Sequence, residues 1–109
     1  PMRYISTRGG MQPATFKSSV MTGLARDGGL LLPERFPDVS DRLAAWSGLG
    51  YADLAFEIMR LFADDIPERD LRDIVARSYA TFGHPDVVPV RDVGPVHVLE
   101  LFHGPTLAF

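Results

Sequence analysis

The stretch 51–62 carries apolar residues at intervals of three and four, with charged residues between them, and this pattern constrains the fold more than any other. Such a period predicts an amphipathic α-helix with one buried face. The residues predicted to line that face are Tyr51, Leu54, Ala55, Ile58, Leu61 and Phe62. Other elements of the chain must therefore cover this helix.

A second helix is predicted to begin at Pro67, because proline suits the first turn, where a backbone N–H has no helical partner. Its inner face would hold Leu71, Ile74, Val75, Ser78 and Phe82. Its outer face would carry two pairs, Glu68 with Arg72 and Asp73 with Arg77. Each pair has the acid four residues before the base, which stabilises an isolated helix slightly. These charges need no functional explanation.

Shorter elements precede these two helices. A strand is predicted over 3–6, and Thr15 is predicted to cap a short helix that the glycines at 23, 28 and 29 interrupt. Residues 30–32 are leucines closed by a proline, which fits a buried strand or an extended segment. Ser40 is predicted to cap another short helix that runs to Trp46. The helix after Thr15 would bury Phe16, Val20, Met21 and Leu24.

From residue 87 the composition changes towards β-branched residues. The stretches 87–93 and 96–102 are rich in valine and are separated by a Gly-Pro pair at 94–95, which predicts two strands joined as a hairpin. We therefore expect an α+β fold. It would have a mainly helical small domain with short strands over 1–85, followed by strand structure over 86–109.

Composition and charge exclude several classes of function. A net charge of -3, from 11 basic and 14 acidic residues spread along the chain, leaves no basic stripe for nucleic acid. Without cysteine there is no disulfide framework and no thiolate chemistry. No apolar run approaches the roughly 20 residues that cross a bilayer, so we expect a cytoplasmic protein without a membrane partner. His84, His97 and His103 lack metal-ligand spacing and carboxylate companions, so no metal site is expected.

Residues 100–109 read ELFHGPTLAF, and from chemistry alone they allow two interpretations. In one, a strand ends in an ordinary Gly-Pro turn, after which Thr106 caps a helix and Phe109 enters the core. In the other, the turn places a hydroxyl and an aromatic ring beside a residue that binds a cofactor covalently.

The same ten residues closely resemble the segment that precedes the cofactor lysine of threonine synthases. Residues 4–9, YISTRG, and 23–30, GLARDGGL, resemble the opening of these enzymes, and 51–55, YADLA, resembles a later part. The matches follow the order and spacing of the family and cover nearly the whole chain.

The resemblance implies that the chain is the amino-terminal part of a fold-type II pyridoxal-phosphate enzyme, in which 86–109 begins the catalytic region. The complete enzyme would convert O-phosphohomoserine and water to threonine and phosphate. The cofactor of this family stabilises the carbanions needed to expel phosphate from the γ carbon, after which water adds at the β carbon.

No catalytic residue is expected within the chain itself. The resemblance implies that a lysine directly after Phe109, followed by an aspartate, holds pyridoxal phosphate as a Schiff base. Thr106, Phe109 and His103 are the candidates for positions near the cofactor. The chain alone would be inactive and without cofactor, because the lysine and the phosphate-binding loop lie outside it.

Two residue-level questions stay open. Ser6, Thr7 and Arg8 have groups suited to a phosphate, but an arginine at a strand end is more often solvated or paired with a carboxylate. His103 has no evident partner to orient it for acid–base work, which favours a hydrogen-bonded turn histidine.

Two rival functions stay open as well. A threonine-synthase-like phospholyase, a dehydratase or another fold-type II enzyme would share the last segment, but need not share residues 26–30. A non-catalytic interaction domain would need no lysine after Phe109.

The carboxyl-terminal tail has more apolar residues than a short hairpin can bury. We expect it to pair between copies or to be mobile when the chain is alone, with 15–82 as the ordered core. The residues concerned are Val96, Val98, Leu99, Leu101, Phe102, Leu107 and Phe109.

Overall fold

The computed structural model describes residues 1–108, and this span forms four helices and two small sheets. The elements in chain order are β1 (Tyr4–Ser6), α1 (Phe16–Thr22), β2 (Leu31–Pro33), α2 (Leu43–Trp46), α3 (Tyr51–Met59), α4 (Glu68–Tyr79), β3 (Val90–Val93) and β4 (Val96–Leu99). The predicted α+β class is confirmed.

Both sheets are antiparallel pairs. Strand β1 pairs with β2, with Tyr4 opposite Pro33, and Tyr4 also forms a bridge to Ala14. Strands β3 and β4 form the predicted hairpin, with Val93 opposite Val96. The turn between them needs Gly94, whose φ of 60° lies in the left-handed region that favours glycine. The observed strands are shorter than the stretches 87–93 and 96–102.

The core lies where α3 packs against α4. Phe56 is 1% exposed and contacts Ala63 of the following turn and Leu71 and Val75 of α4. The ring of Phe56 is covered from outside by the guanidinium of Arg72, whose Cζ lies 3.9 Å from the ring centroid. The two long predicted helices therefore form the centre of this domain.

The predicted inner face of α3 is only partly correct. The helix ends at Met59, so Leu61 and Phe62 lie in the turns after it. Ile58 is exposed, whereas Phe56, which the spacing did not select, is the buried residue of the helix. The reason is the placement of α4, because its apolar side chains contact α3 on the side of Phe56.

Helix α4 follows its prediction more closely. Leu71 and Val75 are buried as expected, while Ile74 and Ser78 are exposed, and Phe82 follows the end of the helix and is half-buried.

One of the two predicted pairs on α4 is observed. Asp73 and Arg77 contact each other at 2.9 Å. The pair of Glu68 with Arg72 does not form, because Glu68 lies 3.4 Å from Arg60 and Arg72 lies 3.8 Å from Asp53. Glu68 and Arg72 of α4 therefore contact residues at the end of α3 and on α3 instead of contacting each other.

The helix after Thr15 is capped as predicted, since the Thr15 hydroxyl accepts a hydrogen bond from the Ser18 N–H at 3.2 Å. Its predicted apolar face is not buried within residues 1–108. Val20, Met21 and Leu24 are exposed, and Met21 most of all at 87%. Only the first residue, Phe16, packs against the core of α3 and α4.

Two further local predictions need correction. Residues 30–32 are extended as expected, but Leu30 and Leu32 are exposed. Leu32 pairs with the exposed Ile5, whereas the buried side chains of the sheet, Tyr4 and Ser6, lie on its other face. Helix α2 begins at Leu43 and not after Ser40. The Ser40 N–H donates to the Asp38 carboxylate at 2.9 Å, which places Ser40 in a turn before the helix.

Candidate functional site

The segment after β4 forms a turn that ends among the last described residues. The Glu100 N–H donates to the Pro89 carbonyl at 2.9 Å, which continues the hairpin one residue beyond β4. The Leu107 N–H donates to the Gly104 carbonyl at 3.0 Å, and the Thr106 hydroxyl accepts from the Ala108 N–H at 3.4 Å. The predicted Gly-Pro turn is therefore present.

His103 has a carboxylate partner that the sequence analysis did not expect. Its Nε2 lies 2.9 Å from Oε1 of Glu100, and both side chains are largely buried, at 19% and 11% exposure. Because an ionised carboxylate only accepts hydrogen bonds, Nε2 of His103 carries the proton. The expectation that His103 has no carboxylate companion is therefore wrong, whereas the hydrogen-bonded turn histidine that the sequence favoured is observed. A second histidine, His97, likewise contacts Asp92.

Glu100 is held in its ionised form. The hydrogen bond from His103 lowers the pKa of the Glu100 carboxyl, and the charge of Arg91 lowers it further. Nη1 of Arg91 lies 3.5 Å from the second oxygen, Oε2, of Glu100. The carboxylate thus joins the strand β3, which carries Arg91, to the turn that begins at His103.

The same turn is tied to the end of α4 through the main chain. The Gly83 N–H donates to the His103 carbonyl at 2.8 Å. Gly104 is buried against the ring of Phe82, and a Cβ atom at position 104 would lie 3.3 Å from the ring atom Cζ. The ring of His84 lies 4.9 Å from that of His103, centroid to centroid. Glycine at 104 therefore permits a close approach to Phe82, in the segment that follows α4.

The three candidate residues differ in their surroundings. The His103 side chain is largely buried in the contacts just described, and Thr106 is exposed on the turn. Phe109 lies outside the described residues. Proximity of these residues to a cofactor stays a prediction.

A second constellation centres on the carboxylate of Asp27. It accepts hydrogen bonds from the Ser6 hydroxyl at 2.7 and 2.8 Å, from the Gly10 N–H at 2.8 Å and from the Gly29 N–H at 2.9 Å. The Ser6 hydroxyl lowers the pKa of the Asp27 carboxyl most, followed by the Gly29 N–H. We call these four residues the Asp27 cluster, and it joins two of the quoted motifs, 4–9 and 23–30.

The structure favours the structural role for Ser6, Thr7 and Arg8. The Thr7 hydroxyl accepts from the Leu30 N–H at 3.0 Å, and Nη1 of Arg8 donates to the Asp27 carbonyl at 3.0 Å. All three polar side chains thus bind the loop 27–30, and the Asp27 carboxylate beside them would repel a phosphate.

We expect the hydrogen bonds of the Asp27 cluster to stabilise the fold less at acidic pH than at neutral pH. Because the folded pKa lies below the ordinary value of 3.8, the unfolded chain takes up the proton first as the pH falls. The stabilisation is present above that value and disappears as the pH falls through the folded pKa. We expect Asp27→Asn to lower the urea midpoint at about pH 7, and the difference from wild type to narrow at about pH 3. An equal difference at both pH values would contradict this assignment.

Residues 1–108 contain neither a metal-binding cluster nor a membrane-spanning helix. No three His, Asp or Glu side chains come together in this span in a way that could hold a metal ion. None of its helices has the length and the apolar character needed to cross a membrane.

The fold and the turn together define a small α+β domain that leads through a hairpin into a Gly-Pro turn. Residues 3–79 match the family model described as threonine synthase N terminus. This match covers more than half of the chain, so the chain belongs to the threonine synthase N-terminal family. The resemblance seen in the sequence is confirmed.

Known proteins match over almost the whole chain. The threonine synthase of Pseudomonas aeruginosa is 48% identical over 99% of this chain and 24% of its own length. The pyridoxal-phosphate-bound threonine synthase from Brucella melitensis superposes with a TM-score of 0.90 at 40% identity, over 100% of this chain and 24% of that one. Threonine synthase-like 2 of Xenopus laevis is 41% identical over 99% of this chain and 24% of its own length. The chain thus spans about a quarter of the length of these relatives.

Sequence reasoning missed both polar constellations. Glu100 stands three residues before His103, a spacing at which side chains meet in a turn as they do on a helix, and this could have indicated the pair. The contact between Ser6 and Asp27 spans 21 residues, and no local pattern indicates it.

Proposed function

We propose that the chain is the amino-terminal part of a threonine synthase, which converts O-phospho-L-homoserine and water to L-threonine and phosphate and carries pyridoxal phosphate. The single observation that supports this most is the likeness in fold to the pyridoxal-phosphate-bound enzyme over the entire chain. The turn at 104–107 adds to this support, because it lies in the segment that resembles the approach to the cofactor lysine. A cytoplasmic location is part of the proposal and rests on composition.

The residues present fit one side of a cofactor site. Thr106 is exposed on the turn, and a hydroxyl that accepts one hydrogen bond still has a proton to donate. Leu107, the next residue along the turn, is also exposed, and Leu101 and Phe102, which precede the turn, leave further apolar surface uncovered. We propose that a lysine directly follows Phe109 and binds the cofactor, which supplies an electron sink when bound.

The phosphate of the cofactor needs groups from outside the chain. Backbone N–H groups are the usual phosphate ligands, but those of Gly10 and Gly29 already donate to the Asp27 carboxylate. Within this chain, the contribution to chemistry is orientation: the hairpin and the turn at 104–107 direct the following residues towards the site. The chain is therefore inactive by itself in this proposal.

The experiment uses the complete polypeptide and measures phosphate release from O-phosphohomoserine together with threonine formation. We expect both products in equal amounts, and loss of both when the lysine after Phe109 is replaced by alanine. The matched control is Lys17→Arg, because Lys17 is the one lysine of this chain and should be dispensable. A complete polypeptide with another residue after Phe109 would contradict the proposal.

A phospholyase of the threonine synthase-like group is the second candidate, and the similarity to threonine synthase-like 2 supports it. Product analysis separates the two. A phospholyase would release phosphate from O-phosphohomoserine without an equal amount of threonine.

We further propose that the chain alone associates through its carboxyl-terminal hairpin. Strands β3 and β4 are exposed along their whole length, and within residues 1–108 each has an unpaired edge, because their sheet has two strands there. We expect sedimentation to show a mass that rises with concentration and that falls towards the monomer with Val96→Lys and Val98→Lys together. Val20→Lys is the control, since Val20 is at least as exposed as Val96 and Val98 but lies on α1. A monomer at all concentrations would contradict this.

A further inference from the structure

A line of three side chains at the base of the hairpin has no role in the function proposed above. Arg91 on β3 contacts Glu100 after β4, and Glu100 contacts His103 at the start of the turn, at 3.5 and 2.9 Å. Glu100 and His103 are largely shielded from water, although both are polar. A polar pair in such surroundings fixes its own geometry, because each partner would lose its hydrogen bond if the ring rotated.

The main chain at His103 is held from the opposite side. Its carbonyl accepts from the Gly83 N–H, and the next residue, Gly104, packs against Phe82. We call these contacts of 82–83 and 100–104 the junction. Through the junction, the end of α4 and the base of the hairpin both determine where the turn at 104–107 begins.

We propose that His103 is a positioning residue, which acts through the junction to place the residues that follow the turn, including the lysine after Phe109. This inference rests on the proposed function, since it needs that lysine to bind the cofactor. Its physical basis is that a displacement of about 1 Å at a reacting group lowers a rate on the order of 100-fold. His103 need not touch the cofactor for this role, because the backbone that it fixes leads directly to the turn.

The test uses the complete polypeptide with pyridoxal phosphate and compares His103→Leu with His103→Gln. Leucine removes the side-chain N–H that donates a hydrogen bond to Glu100, whereas glutamine keeps a side-chain N–H that can donate one. We expect His103→Leu to weaken pyridoxal phosphate binding, measured by absorbance titration, and to lower kcat, each about tenfold or more, as for the loss of a hydrogen bond to a charged group. KM should change less than about threefold, since a positioning role displaces the reacting group rather than removing a contact to substrate, and His103→Gln should recover most of both losses.

The matched control is His97→Leu, which removes the other histidine that contacts a carboxylate, at the exposed tip of the hairpin. It should leave affinity and kcat unchanged. Glu100→Gln serves as a second variant and should show an intermediate loss, with a thermal unfolding midpoint within a few degrees of wild type.

The possible outcomes separate the inference from the proposed function. A wild-type polypeptide that binds no pyridoxal phosphate and forms no threonine overturns the proposed function and this inference with it. An active wild type in which His103→Leu behaves like His97→Leu overturns the inference alone. Equal losses for His103→Leu and His103→Gln also overturn it, because the N–H would then be irrelevant.

Discussion

Replacement of Phe56 by alanine is expected to lower the free energy of unfolding by about 3–5 kcal/mol. The ring is 1% exposed and fills the contact between α3 and α4, so its removal leaves a cavity that the two helices cannot easily close. It also leaves Arg72 without the ring over which its guanidinium lies. Urea unfolding followed by circular dichroism would measure the change. Because the free energy of unfolding of a domain is about 5–15 kcal/mol, we expect part of the variant population to be unfolded without denaturant.

The control for this substitution is Phe36→Ala. Phe36 is the same residue type at 78% exposure, and we expect a change below about 1 kcal/mol. Similar losses for both variants would show that the centre of the core has been placed wrongly.

Gly29→Ala is expected to destabilise the chain by about 1–3 kcal/mol, through overpacking beside the Asp27 cluster. A Cβ atom at position 29 would lie 2.5 Å from the Ser6 hydroxyl oxygen, 2.9 Å from that of Thr7 and 3.1 Å from the backbone nitrogen of Arg8. A side chain can rotate away, but the backbone of β1 and the turn after it cannot move without breaking the hydrogen bonds to Asp27. The urea midpoint should therefore fall.

Gly48→Ala is the matched control, because a Cβ atom there would have no neighbour within 4 Å. Its conformation does not require glycine, so we expect no loss and a slight gain from the reduced freedom of the unfolded chain. If Gly29→Ala proved as harmless as Gly48→Ala, the close approach of the two motifs would be refuted.

The sequence predicted which elements exist better than which way they face. The spacing at 51–62 correctly predicted a helix, yet Phe56 and not Ile58 became its buried residue. Hydrophobic spacing shows which side chains on a helix are able to pack against a neighbour. Which of them become buried depends on where the neighbouring element lies. The same limit explains Met21 on α1, which has apolar character and helical spacing but no covering element within residues 1–108.

Those parts of the site that depend on short stretches of sequence could be predicted. The hairpin, the turn after Gly104 and the family all followed from short stretches of sequence. The contacts of Asp27 with Ser6 and of Gly83 with His103 did not, because each joins residues about twenty positions apart. The contact of Asp27 with Ser6 gives one structural reason for two of the motifs that resemble the family, because it joins residues 4–9 to residues 23–30.

The hydrogen bond between Gly83 and His103 also has a consequence for length variation. It brings the two ends of the excursion 84–102 together, so the path in space from α4 to the turn is short. Residues added at the tip of the hairpin, between Val93 and Val96, would extend it outward without moving these ends. Lengthening a closed loop costs little conformational entropy, roughly 0.6 kcal/mol for each doubling of the loop length. Insertions and deletions among homologous chains should therefore collect at this tip, while the spacing from His103 to the end of the turn stays constant.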